Sequence, residues 1–319
     1  MTTRRYYRDE RAWRDQQQFL PERLRLTDET APEEDHWDWW GHQIHLDRYR
    51  NPGAPARVVL HHGVGTNGRQ LSLILGRPLA ERGYDVVAPD NLGYGMTTVA
   101  KGRTPSYDDW VQLMVDLLEA ENTRDPKPTV FYGLSAGGML GYHVAAAAPE
   151  GTLRGIVGMT FLDQRFQQVR DQTAHDVASA RLGVPLLRMT ARTPLAVMKY
   201  PMTLASKMTA LVNDRRALKI FLRDRSSAGN WVSVKFLASY LDYQPAVEPA
   251  AFDACPILLT QPELDRWSPR ELSMPVLSRV TRVAVDEVTL PGAGHYPLED
   301  AGLRELVNAV DDFVQVVRG

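Results

Sequence analysis

Hydrophobic and polar positions change their period several times along the chain, and each change marks an element. In the charged stretch of residues 1–35, Tyr6, Trp13 and Leu20 recur at intervals of seven. That spacing predicts an N-terminal helix packing one face on the body. After His36 the text turns β-like: Ile44, Leu46 and Arg48 alternate with polar neighbours, behind a turn at Gly41. The run Arg57-Val58-Val59-Leu60-His61-His62 is continuous rather than alternating, as in a strand buried on both faces. It stops at the glycine-rich loop 63–68, and a helix over 70–82 follows, closed by Gly83.

The pattern then repeats. Residues 84–90 read as a strand running into the loop Asn91-Leu92-Gly93-Tyr94-Gly95. Residues 108–121 read as a helix whose face is Trp110, Leu113, Met114, Leu117 and Leu118. Thr129-Val130-Phe131-Tyr132 is a strand, Gly133 to Gly138 a sharp turn, and the alanine-rich text up to Pro149 a helix; 153–162 is a further strand. Strand and helix alternate throughout, which predicts an α/β fold with a mostly parallel central sheet and helices on both faces.

The alternation stops at Asp163. From there to Pro249 the text is helix-like, broken by Pro185, Pro194, Pro201 and Pro245, and shows no buried strand. It reads as an inserted helical subdomain, with Met189, Met198, Met202 and Met208 as core filler or as the lining of a plastic apolar pocket. Sheet text resumes at Pro256-Ile257-Leu258-Leu259-Thr260. Ser268, Pro269 and Glu271 have the form of a helix cap, 283–290 contains the last strand, 291–297 is a loop, and the final helix runs from Asp300 to Val317. The expected units are an N-terminal extension (1–35), an α/β body (36–162 and 250–319) and a helical insertion (163–249).

Composition narrows the classes. With 37 basic and 39 acidic residues in 319, nothing points to nucleic acid. The single cysteine, Cys255, excludes an internal disulfide framework or a cysteine-rich metal site and reads as a buried strand thiol. No apolar leader is visible, and no stretch reaches the ~18 apolar residues of a membrane span. These features read as a soluble cytoplasmic protein. The charged N-terminal segment is a candidate oligomer contact.

Chemistry concentrates in one stretch. Gly133, Ser135 and Gly137 have the spacing of a nucleophile elbow, in which a strained turn between strand and helix projects a serine hydroxyl. A serine needs a base, a group to orient that base, and donors for the oxyanion. His295 is the leading base, in a flexible loop directly after a strand. Asp265, in the loop after the preceding strand, is the leading acid, and Asp163, after the strand that follows the elbow, is the alternative. Glu263 reads as a solvated loop charge, and Asp90 as a holder of loop backbone. His61 and His62 shape the loop that follows them; His143 lies along a helix; His36, His42, His45 and His175 read as surface or strand residues. No spacing of His, Asp and Glu resembles a metal site. Gly63, Gly65 and Gly68 formally fit a dinucleotide loop with Asp85 or Asp90 about 20 residues on, but that reading leaves the elbow and His295 without a role.

Taken together, His62-Gly63-Val64-Gly65, Gly133-Leu134-Ser135-Ala136-Gly137, Asp265 and Gly294-His295 resemble the α/β-hydrolase superfamily over residues 36–162 and 250–319. The resemblance implies Ser135 as nucleophile, Asp265 as acid and His295 as base, with oxyanion donors at the backbone N–H groups of Val64 and Ala136. It implies no cofactor, and it makes 163–249 a lid such as these hydrolases insert after the sixth strand. That lid and the general character of the chain resemble lysophospholipase-like and carboxylesterase-like members. The expected function is serine hydrolysis of a small carboxylic ester with a hydrophobic acyl part. The same three residues also serve C–C, amide or lactone hydrolysis and perhydrolysis, and a non-catalytic ligand binder is the reading of another class. Dehalogenation is disfavoured, because it needs an aspartate where this elbow carries serine.

Overall fold

A computed structural model describes residues 4–177 and 179–319. Its centre is an eight-stranded sheet in the order β1 (Glu33–Trp39), β2 (His42–Tyr49), β4 (Asp85–Pro89), β3 (Arg57–His61), β5 (Thr129–Gly133), β6 (Gly155–Gly158), β9 (Ile257–Pro262) and β10 (Val285–Leu290). The intervening β7 (Lys199–Pro201) and β8 (Trp231–Ser233) form a separate antiparallel ribbon. β1 pairs antiparallel with β2, and β2 with β4; every other neighbour in the large sheet is parallel. β3, β4 and β5 are buried at every position, which is why their sequences run apolar without alternation. β1 begins at Glu33, three residues earlier than the pattern predicts.

Helices cover both faces. The predicted helix after β3 is a succession of Gly68–Leu71, a π turn over Ser72–Gly76 and Arg77–Glu81, and it packs with the final helix Asp300–Val317. On the other face Tyr107–Arg124 packs with Ala136–Ala147. Tyr107–Arg124 buries the five apolar residues its 3.6 period marks and starts at a capping box in which Asp109 Oδ2 accepts from Ser106 N at 2.7 Å.

Residues 163–249 leave the sheet after β6 and return before β9. They hold the short helices Gln167–Thr173, Val184–Thr190, Arg215–Phe221 and Val234–Asp242, together with the β7–β8 ribbon. The four methionines separate there: Met202 and Met208 are buried, whereas Met189 and Met198 are exposed.

The N-terminal segment departs from the expected helix. It forms one short helix, Ala12–Gln16, among 3-10 turns, and buries Tyr7 rather than Tyr6, with Trp13 and Leu20. Polar pairing explains the difference. Tyr7 OH donates to Asp90 Oδ1 at 2.9 Å, Tyr7 N to Glu34 Oε2 at 2.5 Å, and Trp13 Nε1 to Tyr7 O at 2.8 Å. The Arg69 guanidinium lies 4.7 Å from both the Tyr7 and Trp13 ring centres, and its Nε donates to Asp47 Oδ2 at 2.7 Å. These bonds need a chain that turns, not one continuous helix.

His45, expected at the surface or in a strand, is a fully buried strand residue at the centre of this network. Its Nε2 lies 2.9 Å from Glu34 Oε2 and its Nδ1 3.0 Å from Asp90 Oδ2. Burial disfavours the imidazolium, but the contacts with Asp90 and Glu34 outweigh it and raise the pKa to about 9. Between about 6.5, the ordinary value, and about 9 the folded chain therefore holds a proton that the unfolded chain lacks. The stabilisation is complete below that window and lost as the pH rises through it. His45→Gln should lower stability at pH 6 by about 3–5 kcal/mol. It should also flatten the fall of stability between pH 6.5 and 9 in urea titrations; an unchanged slope refutes the charged state.

Candidate active site

Parallel strands present their following loops at one edge of a sheet. Ser135 follows β5, Asp265 follows β9 and His295 follows β10, so all three emerge at the same edge. β5 ends at Gly133 and the next helix begins at Ala136, leaving two residues for the reversal. Ser135 makes the turn at φ 55° and ψ −125°, a region that non-glycine residues rarely occupy. Crowding maintains it. A Cβ on Gly133 would run into the carbonyl of Gly137, so strand and helix approach as closely as backbones allow.

The loop after β3 lies against this turn. A Cβ on Gly63 would stand 2.8 Å from both Leu134 O and Ser135 Cβ. Neutral histidines brace the loop: burial lowers the pKa of both His61 and His62. His62 Nδ1 donates to Gly63 O at 2.8 Å while its Nε2 accepts from Asn91 N at 2.9 Å, and Tyr94 OH donates to Val64 O at 2.9 Å. Asp90 anchors the far end, accepting from Gly68 N at 2.7 Å and Met96 N at 2.8 Å. That is the backbone-holding role its position suggested.

Asp265 and His295 meet. His295 Nδ1 lies 2.8 Å from Asp265 Oδ2, and a carboxylate only accepts, so Nδ1 carries the proton. Nε2 is buried and makes no hydrogen bond among the described residues, Ser135 included. Asp265 Oδ1 accepts from Trp267 N at 2.7 Å and Ser268 N at 2.9 Å. Burial alone would raise the Asp265 pKa, but His295 beside it and these N–H groups hold the carboxyl below its ordinary range.

Ser268 is the residue that sequence reasoning misplaced. It does not cap a helix: the turn Arg270–Leu272 starts from Pro269 without a side-chain cap, so Glu271 has no capping role either. The Ser268 hydroxyl instead donates to Asp265 Oδ2 at 2.8 Å, and its oxygen lies 2.9 Å from His295 Nδ1. A hydroxyl three residues after a loop acid was the available signal.

Asp163, the alternative acid, is paired with a cation. Asp163 accepts from Arg165 Nε and Nη2 at 3.0 and 2.7 Å, and Arg165 Nη1 reaches Glu248 at 2.6 Å. The three groups tie the beginning of the insertion to its end. Glu263 accepts from Gly292 N at 2.7 Å and so joins the loops that carry Asp265 and His295. Among the described residues Glu34, His45 and Asp47 converge as a metal site would, but Arg69 and the protonated His45 supply the positive charge there.

A cavity of about 340 Å³ opens over Ser135. Val64 and Ala136 form part of its floor, and Leu187, Met202 and Leu237 of the insertion part of its walls. Trp267 lines it too and faces the His295 ring at 4.6 Å. The lining is mostly apolar with few polar groups, as in small-molecule sites.

The sequence model of the alpha/beta hydrolase family matches residues 58–309, most of the chain. The chain belongs to that family. Within it, a 107-residue stretch is 36% identical to the Mycobacterium tuberculosis lipase LipV, covering 34% of this chain and 38% of that lipase. The match thus spans well under half of the relative's length. The fold is similar to that of a soluble variant of the monoglyceride lipase of Saccharomyces cerevisiae, solved with a substrate analogue: TM-score 0.74, 14% identity, 94% of this chain and 99% of that one. A Paleococcus ferrophilus monoacylglycerol lipase superposes with a TM-score of 0.61 at 19% identity, over 85% and 98% of the chains. An epoxide hydrolase of Mycobacterium thermoresistibile gives 0.55 at 18%, over 89% and 98%. At such identities the likeness is one of fold, and the fold carries more than one chemistry.

The contact between Gly63 and the turn is open to a direct test. Gly63→Ala puts a methyl against backbone at 2.8 Å and should cost about 1–3 kcal/mol in denaturant titrations. Gly53→Ala, whose Cβ would meet only the Asn51 side chain at 3.7 Å, is the neutral control.

Proposed function

We propose that the protein is a serine hydrolase of carboxylic esters with a hydrophobic acyl part. The observation that carries the reading is His295. Its Nδ1 is held by Asp265, and its Nε2 is buried and unpartnered at the sheet edge that also presents Ser135 on a strained turn. Buried imidazole nitrogens without a partner also occur at His36 and His61; what suits this one to take a proton is the carboxylate that holds Nδ1 and its place at the edge that presents Ser135.

In this reading Ser135 Oγ attacks the ester carbonyl as His295 Nε2 removes its proton. The carbonyl oxygen becomes an oxyanion between the N–H groups of Val64 and Ala136, the latter at the positive end of the helix Ala136–Ala147. His295 then protonates the leaving alcohol, and the acyl group stays on Ser135. Water, deprotonated by the same nitrogen, releases the acid and restores the serine. Asp265 keeps the proton on Nδ1 and stabilises the imidazolium, and Ser268 fixes the carboxylate that does so. Residues 163–249 act as the lid, and those of their apolar side chains that line the cavity receive the acyl chain. Two of the similar folds, the Saccharomyces cerevisiae monoglyceride lipase and the Paleococcus ferrophilus monoacylglycerol lipase, together with LipV, support an ester carrying a fatty acyl group.

Turnover of p-nitrophenyl esters of graded chain length tests the assignment. Ser135→Ala should lower kcat by at least roughly 10³-fold and Asp265→Asn by roughly 10³–10⁴-fold. Ser268→Ala should reduce kcat by roughly tenfold, by loosening the carboxylate. Asp163→Asn should leave kcat within a few-fold of wild type, and a larger loss there than in Asp265→Asn reverses the choice of acid. Unchanged turnover in Ser135→Ala sinks the mechanism.

A further inference from the structure

Large apolar side chains are unevenly exposed on this molecule. Of the twelve exposed ones among the described residues, nine lie between Val177 and Trp231. Leu186, Tyr200 and Leu204 are 64%, 41% and 47% exposed, yet they also line the cavity above Ser135. Side chains that are both lining and exposed stand at the mouth.

The apolar surface continues outward from that mouth. Met189, 69% exposed, lies three residues beyond Leu186 on the helix Val184–Thr190. Met198 precedes Tyr200 at the start of the β7–β8 ribbon, and Trp231 sits across that ribbon from Pro201. Monomeric proteins rarely leave so many large apolar side chains of one segment in water without a use for them.

Charge identifies what would cover it. Residues 177–213 hold five basic residues, Arg181, Arg188, Arg192, Lys199 and Lys207, and no aspartate or glutamate. The chain as a whole carries 37 basic against 39 acidic residues, so the bias is local. Arg181 and Arg188 pair with Asp171 and Asp242, but Arg192 and Lys199 are exposed and make no salt bridge among the described residues. A second copy of the same face would bring these cations against their equivalents across a two-fold axis. An apolar surface studded with unpaired cations matches instead the boundary of a membrane whose headgroups are anionic.

We propose that this face of the insertion docks on an anionic lipid surface with the cavity mouth turned toward the lipid. An acyl ester would then pass from lipid to Ser135 without crossing water. The docking does not depend on the chemistry; only the identity of what enters the mouth rests on the function proposed above.

Co-sedimentation of the full chain tests the proposal, using vesicles of phosphatidylcholine alone and of equimolar phosphatidylcholine and phosphatidylglycerol. The chain should pellet with the anionic vesicles, pellet poorly with the neutral ones, and be released at ~0.5 M salt. Arg192→Glu/Lys199→Glu and Met189→Ser/Met198→Ser should each weaken partitioning by roughly tenfold or more. All four positions are exposed and lie outside the cavity lining, so these variants should keep the wild-type thermal midpoint and its turnover of a short soluble ester. Ser135→Ala should sediment as wild type does, which separates docking from catalysis. Equal binding to both vesicle types, or binding unchanged in the two double variants, overturns the proposal. So does a concentration-dependent dimer that Met189→Ser/Met198→Ser abolishes, because the face is then a contact between copies.

Discussion

A charged carboxylate buried beside the sheet edge constrains much of this structure. Asp90 is fully buried, and burial opposes its ionisation; the bond and charge of His45, with Met96 N–H, still hold its pKa at about 2. A buried charge has to be surrounded by donors, and each donor here belongs to a different part of the chain. Gly68 N fixes the loop after β3, Met96 N the loop after β4, Tyr7 OH the N-terminal segment, and His45 the antiparallel edge of the sheet. Gly95 lies so close that any side chain there would enter the carboxylate. Asp90 thereby ties the loop under the cavity, 22 positions from it in sequence, to the N-terminal segment, 83 positions from it.

The same logic extends toward the insertion. Gln16 donates to Asp224 at 2.9 Å and accepts from Gln70 at 2.8 Å. Asn67 donates to Ser226 Oγ at 3.0 Å, and Gly95 N to Ser226 O at 2.9 Å. The N-terminal segment thus bridges the helix after β3 and the turn that follows Arg215–Phe221. From the other side Tyr296, next to His295, donates to Gln70 O at 2.9 Å. The loop bearing Gly63 and Val64 is therefore held by backbone and side-chain bonds on every flank. A rigid donor loop is what the proposed oxyanion site requires, because donors that must reorganise during reaction stabilise little.

Much of the chain was legible from local rules. The helices Tyr107–Arg124 and Asp300–Val317 follow from their apolar period, and the buried strands from runs without alternation. Ser135 and Asp265 stood out because each lies in a loop after such a run, and His295 because it lies in the loop after the last strand. What did not show in the sequence is long-range polar pairing, which has no period. Tyr6, Trp13 and Leu20 suggested a helix, whereas Tyr7 is the buried residue because its hydroxyl reaches Asp90, 83 positions away. Ser268 had the form of a helix cap and instead bonds the carboxylate three residues before it. Asp163 followed a strand as an acid would, but Arg165, two residues on, claims it.

Labelling with a fluorophosphonate, followed by peptide mapping, tests the central claim most directly, because such a probe reacts only with a serine whose proton is being withdrawn. The account predicts one adduct, on Ser135, formed quickly in the wild type and much more slowly in His295→Ala. Folded protein that takes up no label, or an adduct on a different serine, would contradict it.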